Sequence, residues 1–222
     1  MKRYREYLND GRLAFILIIA LVIIDQIIKI EVKTHMCLGE SIKITDWFFI
    51  SFIENNGMAY GMTFVNKLFL SLMRIVAVYF IGLYMIRILK KKHRTSFIIV
   101  LSFIMAGALG NIFDSMFYGL VFNASSPYYS SYLVPFGHGY APFLMGKVVD
   151  MFYFPLIVTT YPDWIPFKGG EQFIFFSPVF NFADACISVG VVVMFLFFRK
   201  DLENISEVMK LGLKNKKTDE KK

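Results

Sequence analysis

Charge is scarce in this chain, and so are the residues that build disulfides and metal sites. Of 222 residues only 18% are Asp, Glu, Lys or Arg, where a soluble domain carries about a quarter. Two cysteines, Cys37 and Cys186, cannot make a disulfide framework. Cys186 falls within an apolar run and reads as a small packed side chain. His35, His93 and His138 are scattered without metal-ligand spacing, so no metal site is expected. No Gly-rich phosphate loop, G-x-S-x-G elbow or H-E-x-x-H occurs, which sets aside the corresponding nucleotide, serine-hydrolase and zinc chemistries. No internal repeat is visible, and the one biased stretch is the Lys-rich tail.

What remains is apolar. Hydrophobic residues make up 56% of the chain, 25 of them phenylalanine, gathered into runs instead of alternating with polar residues. A bilayer core about 30 Å thick needs roughly 20 helical residues, and four segments qualify: about 13–32, 68–89, 97–120 and 174–198. Basic residues precede the first run, as in a signal sequence. No small-x-small site follows it, and Asp25 and Lys29 stand there instead, so it reads as a retained helix. The fold expected is an all-α polytopic membrane protein with four spans. Residues 1–198 form a single membrane-embedded domain, and 199–222 form a basic tail.

Direction follows from the basic residues. Lys2, Arg3, Arg5 and Arg12 precede the first run, Arg87, Lys90, Lys91, Lys92 and Arg94 flank the second turn-around, and the tail from Arg199 to Lys222 holds many more. The loops 33–67 and 121–173 hold few. Both termini are therefore expected in the cytoplasm and the two long loops on the opposite face. The net charge of +7 belongs to one membrane face, and the tail reads as solvated, with added attraction to anionic lipid headgroups. No aromatic-interleaved basic platform suggests nucleic acid.

The first outer loop has strand character. Ser41-Ile42-Lys43-Ile44-Thr45 alternates, and Trp47 to Ile53 is β-branched and aromatic. Asn55-Asn56-Gly57 then supplies residues that tolerate positive φ. A small sheet on the membrane surface is expected. The second loop, rich in Tyr, Phe, Pro and Gly, suits the outer interface, because Tyr and Trp have apolar rings and polar tips.

Carboxylates are costly in hydrocarbon, yet Asp25, Asp114, Asp150 and Asp184 all lie within or beside a run. Asp25 and Lys29 are four apart and can pair along one helix face, as a structural ion pair or a substrate-positioning one. Asn111 and Asp114 share a face, and the small residues at 106–108 and 110 permit close helix approach; a structural polar cluster and a catalytic role are both open. Asn181, Asp184 and Ser188 share a face where the fourth run begins, and Asp150 closes a short run on the same side. Two carboxylates at one site share a proton, so one can activate water while the other polarises a carbonyl.

These motifs form a recognisable set. Asp25-Gln26-Ile27-Ile28-Lys29, Asn55-Asn56-Gly57-Met58-Ala59-Tyr60, Gly107 to Asp114 (GALGNIFD), Val148-Val149-Asp150-Met151 and Phe180-Asn181-Phe182-Ala183-Asp184 occur in this order. Along most of residues 13–198 the chain resembles the signal peptidase II, or lipoprotein signal peptidase, family. The resemblance implies a catalytic dyad of Asp150 and Asp184. Asn55, Gly57, Asn111, Asp114 and Asn181 would line the site, with Asp25, Lys29 and Arg74 as orienting or substrate-binding residues. The implied substrate is a prolipoprotein whose cysteine carries diacylglycerol, cleaved just before that cysteine without metal or cofactor. The implied setting is the bacterial inner membrane, with membrane lipids as neighbours and the site near the periplasmic face; the sequence leaves the oligomeric state open, a monomer being the expectation.

Three departures stand out. Ser115 occupies a position where the family carries Arg, residues of about 120–147 are inserted with 151–173 also long, and Met58 replaces a small Ala. Arg74 or Lys147 is expected to supply the cation that Ser115 lacks. Two other readings are a small proton-coupled carrier using the aspartates as a relay, and an inactive scaffold of the same fold. The carrier reading predicts repeated halves with broken helices, and no such symmetry is visible.

Overall fold

The computed structural model describes residues 2–56, 67–90 and 94–203. Gly57 and Met58 lie outside the described residues, as does most of the basic tail. Two compact units emerge: the first draws on residues 2–26, 68–90, 94–113 and 183–203, the second on 27–56, 67 and 114–182.

The helices are α1 (Lys2–His35), α2 (Lys67–Lys90), α3 (Thr95–Phe113), α4 (Gly119–Val121), α5 (Phe182–Phe197) and α6 (Arg199–Glu203). A π-helical turn, Asp114–Tyr118, links α3 to α4. Among the described residues, three helical segments are long and apolar enough to cross a membrane: Asn9–His35, Lys67–Lys90 and Thr95–Val121. At about 1.5 Å per residue, each exceeds the roughly 30 Å hydrocarbon core. They leave large apolar side chains on their surfaces, among them Phe15 at 67% and Ile16 at 65% exposed. Hydrocarbon is the solvent that such surfaces fit.

The expected fourth span over 174–198 is corrected. Residues Gln172–Phe175 and Val179–Phe180 are strands, and α5 begins only at Phe182, leaving a helix of 16 residues. Pro178 disfavours the helical region for Ser177, and the aromatic run before it finds a strand partner. The all-α expectation is corrected with it: six strands are present among the described residues.

In the first unit, helix ends build one core from Ala14, Tyr84, Met85, Ile88, Phe97, Ile98, Leu101, Met194 and Phe198. Gly107 and Gly110 let α5 approach α3 closely. A Cβ on Gly107 would collide with the carbonyl oxygen of Ala183, and one on Gly110 would stand 2.5 Å from Asp25 Oδ2. The small-residue stretch thus serves the close approach expected of it.

The second unit is organised by an antiparallel sheet ordered β1-β2-β3-β6: β1 Ser41–Thr45, β2 Phe48–Asn55, β3 Val148–Tyr153 and β6 Val179–Phe180. The first pair matches the strands expected in the first outer loop. Of the other two, β3 comes from the second loop, which was expected only to lie along the interface, and β6 from the stretch expected to open the fourth span. A separate hairpin joins β4 (Ile157–Thr160) to β5 (Gln172–Phe175). Val32, Met36, Phe52, Tyr118, Phe122, Val149 and Met151 form the second core.

Candidate active site

Asp150 lies on β3 and is only 3% exposed. The β2–β3 register sets Ile53 opposite Asp150 and Asn55 opposite Val148, so Asn55 and Asp150 face each other diagonally. Asn55 Nδ2 donates to Asp150 Oδ2 at 3.1 Å. The β3–β6 pairing places Phe152 opposite Phe180, and the next residue, Asn181, donates from Nδ2 to Asp150 Oδ1 at 2.7 Å. Each oxygen of the buried carboxylate thus receives an amide N–H, which fixes its plane. Asn55 and Asn181, singled out by motif, meet on Asp150.

Asp184 sits in the first turn of α5. There the helix dipole favours negative charge, and Asn111 Nδ2 donates to Asp184 Oδ1 at 2.7 Å. Asp25 also serves this helix start. Its Oδ1 accepts the backbone N–H of Ala183 at 2.9 Å, while Gln26 Nε2 donates to its Oδ2 at 3.1 Å. A carboxylate on α1 thereby takes one of the amide hydrogens that the first turn of α5 leaves without an intrahelical acceptor.

Lys29 forms an ion pair with Asp114 at 2.8 Å, both side chains fully buried, and Val149 N–H donates to Asp114 Oδ2 at 3.4 Å. Lys29 therefore serves a partner beyond the i,i+4 pairing expected along α1. Asp114 begins the π-helical turn, and such turns re-aim side chains relative to a regular helix.

Arg74 lies half-buried on α2. Lys147, the other proposed cation, is bound to Glu54 at 3.0 Å. Lys67 reaches Ser115, its Nζ donating to Ser115 Oγ at 3.2 Å. Sequence reasoning passed over it because it begins α2 and read as an ordinary loop-side lysine.

A second cluster was also passed over. Glu54 accepts from Lys33 Nζ at 2.5 Å, Ser125 Oγ at 2.6 Å and Lys147 Nζ at 3.0 Å. Its side chain is 2% exposed and that of Lys33 is 0%. Burial, the largest influence, pushes the Glu54 carboxyl upward. The Lys33 charge and the hydrogen bonds from Lys33, Ser125 and Lys147 together outweigh it and hold the group below the usual glutamate range. Two signals were present: Lys33 extends the Asp25–Lys29 stripe by another four residues, and Glu54 directly precedes Asn55. Among the described residues, no three His, Cys, Asp or Glu side chains gather into a group able to hold a metal.

Membrane-length helices, a buried Asp150 held by two amides and a half-buried Asp184 held by another define the class, a membrane protein with amide-held carboxylates. The fold itself matches two solved structures titled as a bacterial membrane enzyme. One gives a TM-score of 0.56 at 21% identity, covering 86% of this chain and 90% of the other. The second gives 0.55 at 21%, covering 85% and 94%. The family model for signal peptidase (SPase) II matches residues 17–199. A lipoprotein signal peptidase from Porphyromonas gingivalis is 47% identical over 199 residues, 89% of this chain and 88% of the relative. Another from Amoebophilus asiaticus is 32% identical over 189 residues, covering 82% and 75%. The chain belongs to the signal peptidase II family.

Proposed function

We propose that this protein is a lipoprotein signal peptidase, an aspartic endopeptidase that removes the signal peptide from diacylglyceryl-modified prolipoproteins. Cleavage falls just before the lipidated cysteine. The observation that carries the reading is the amide clamp on Asp150 by Asn55 and Asn181, with Asp184 three residues beyond Asn181 and held by Asn111.

In this mechanism Asp150 and Asp184 act as one dyad holding a single proton. The ionised carboxylate takes a proton from water as it attacks the scissile carbonyl, and the protonated one donates to the carbonyl oxygen. Collapse of the tetrahedral intermediate breaks the C–N bond, and a proton passes to the departing amine of the cysteine. Asn55, Asn111 and Asn181 hold the two carboxylates in the orientation that this exchange requires. Gly57 and Arg74 belong to the substrate-contacting set.

The distribution of Lys and Arg supports an inner-membrane protein with both termini cytoplasmic and the long loops periplasmic. The dyad then works near the periplasmic face, where the lipidated cysteine lies at the outer leaflet.

The test is cleavage of a synthetic diacylglyceryl peptide by purified protein. Asp150→Asn and Asp184→Asn each abolish release of the signal fragment, and the double variant is no worse, because the two act as a unit. Folded yield stays close to wild type in each single variant. Near-normal turnover in either one would remove that aspartate from the dyad.

A further inference from the structure

The β4–β5 hairpin is apolar on both faces. Its register pairs Ile157 with Phe175 and Val158 with Ile174, so alternate pairs point to opposite sides. Ile157 is 56% exposed, Val158 54% and Phe175 52%. The connecting turn exposes Trp164 at 80% and Phe167 at 100%. Phe167 adopts φ +66°, a conformation uncommon for a bulky side chain. A lone two-stranded hairpin is marginal in water, and an exposed apolar surface of this kind marks an interaction site.

The same unit indicates what covers it. It contains the last turns of two membrane-length helices, residues 27–35 of α1 and residues 114–121 after α3. Ile27 on α1 is 62% exposed within this unit, as expected where a helix side faces lipid. The unit therefore lies at a bilayer boundary by virtue of its own elements. The turn also has interfacial chemistry. Lys168 lies over the Tyr161 ring at 5.6 Å from its centroid, and Asp163 and Glu171 flank Trp164 and Phe167 in the chain. Aromatic rings among charges suit the headgroup level, and charges beside them preclude deep insertion.

We propose that the β4–β5 hairpin is a membrane-surface anchor that seats Trp164 and Phe167 at the boundary between lipid headgroups and acyl chains. The occupant is the bilayer itself.

Trp47→Phe leaves Trp164 as the one tryptophan of the two in the chain and retains an aromatic ring for the Phe154 stack. The variant is reconstituted into phosphatidylcholine bilayers brominated either near the glycerol or deep in the acyl chain. Trp164 emission is expected to lose most of its intensity with the shallow label and less with the deep one, and to resist aqueous iodide. Quenching by iodide with none by lipid would overturn the anchor. Insensitivity to all three quenchers would also overturn it, because protein, such as a second copy of the chain, would then cover the ring. Phe167→Cys, nitroxide-labelled in a Cys37→Ser, Cys186→Ala background, gives an independent reading. Relaxation by oxygen over aqueous nickel chelate supports the anchor, and the reverse order overturns it. None of these measurements uses a substrate, so their outcome is separate from that of the cleavage assay.

Discussion

Glu54 holds two lysines and a serine, and both Glu54 and Lys33 are shut away from water while Lys147 keeps partial access to it. A carboxyl lowered in the fold contributes stability that is fully present above its unfolded value of about 4.3 and is lost as pH falls through its folded value. Thermal unfolding in detergent should therefore show stability declining as pH drops below about 5. Glu54→Gln should flatten that decline and, at neutral pH, cost about 3–5 kcal/mol, because the Lys33 charge stays buried without its counter-charge. An unchanged acid slope in Glu54→Gln would assign the pH dependence to other carboxyls. Lys67 invites a kinetic comparison. A positioned ammonium beside Ser115 can hold backbone carbonyls of a substrate, although it lacks the planar fork of Arg. Lys67→Gln should lower kcat/KM more than Arg74→Gln or Lys147→Gln at equal folded yield, and adding Ser115→Arg should restore part of it. Equal kinetics in all three would place the carbonyl-binding cation elsewhere. Asp150 and Asn181 stood out because Asp and Asn beside apolar runs need reasons to be there, whereas Asn55 read as a turn residue and entered the site only through the family motif. Lys33 and Lys67 did not stand out, since a lysine near a helix end reads as solvated whether or not a partner waits for it.

At the scale of elements, the sequence spoke clearly where one periodicity dominated. The apolar runs of α1, α2 and α3 and the alternation of β1 could be read directly. β3 could not: Val148, Val149, Asp150 and Met151 are all buried, so no period-two pattern marks the strand. The aromatic residues of β5 and β6 resembled the start of a span because Phe suits both a membrane helix and a strand. The α3–α5 approach was readable from its small residues, and it is open to test. Gly107→Ala should destabilise most, since its methyl would meet the Ala183 backbone, which cannot rotate away. Gly110→Ala should also destabilise, by displacing Asp25 from the Ala183 N–H, each at about 1–3 kcal/mol. Gly82→Ala serves as the control, because its methyl would lie 3.4 Å from the flexible end of Met105. Equal thermal stability in all three would mean that α3 and α5 are not held at this distance.

For the whole molecule, orientation is the expectation that most needs measurement. Ser126→Cys in a Cys37→Ser, Cys186→Ala background should react with a membrane-impermeant maleimide added to intact spheroplasts. A cysteine at Lys91 should react only after lysis. Reversal of that pattern would put the proposed dyad on the wrong side for a lipidated substrate. Fold and family were legible because the lipid environment dictates long runs and few charges, whereas the two loops obey no such simple rule. The bond from Ala183 to Asp25 bears on how the molecule is made. Asp25 on α1 leaves the ribosome before Ala183, which lies 158 residues further along the chain. Over that stretch of synthesis the acid must wait for the amide hydrogen that it will eventually hold. A chain stalled before α5 therefore carries an intramembrane carboxylate lacking that contact.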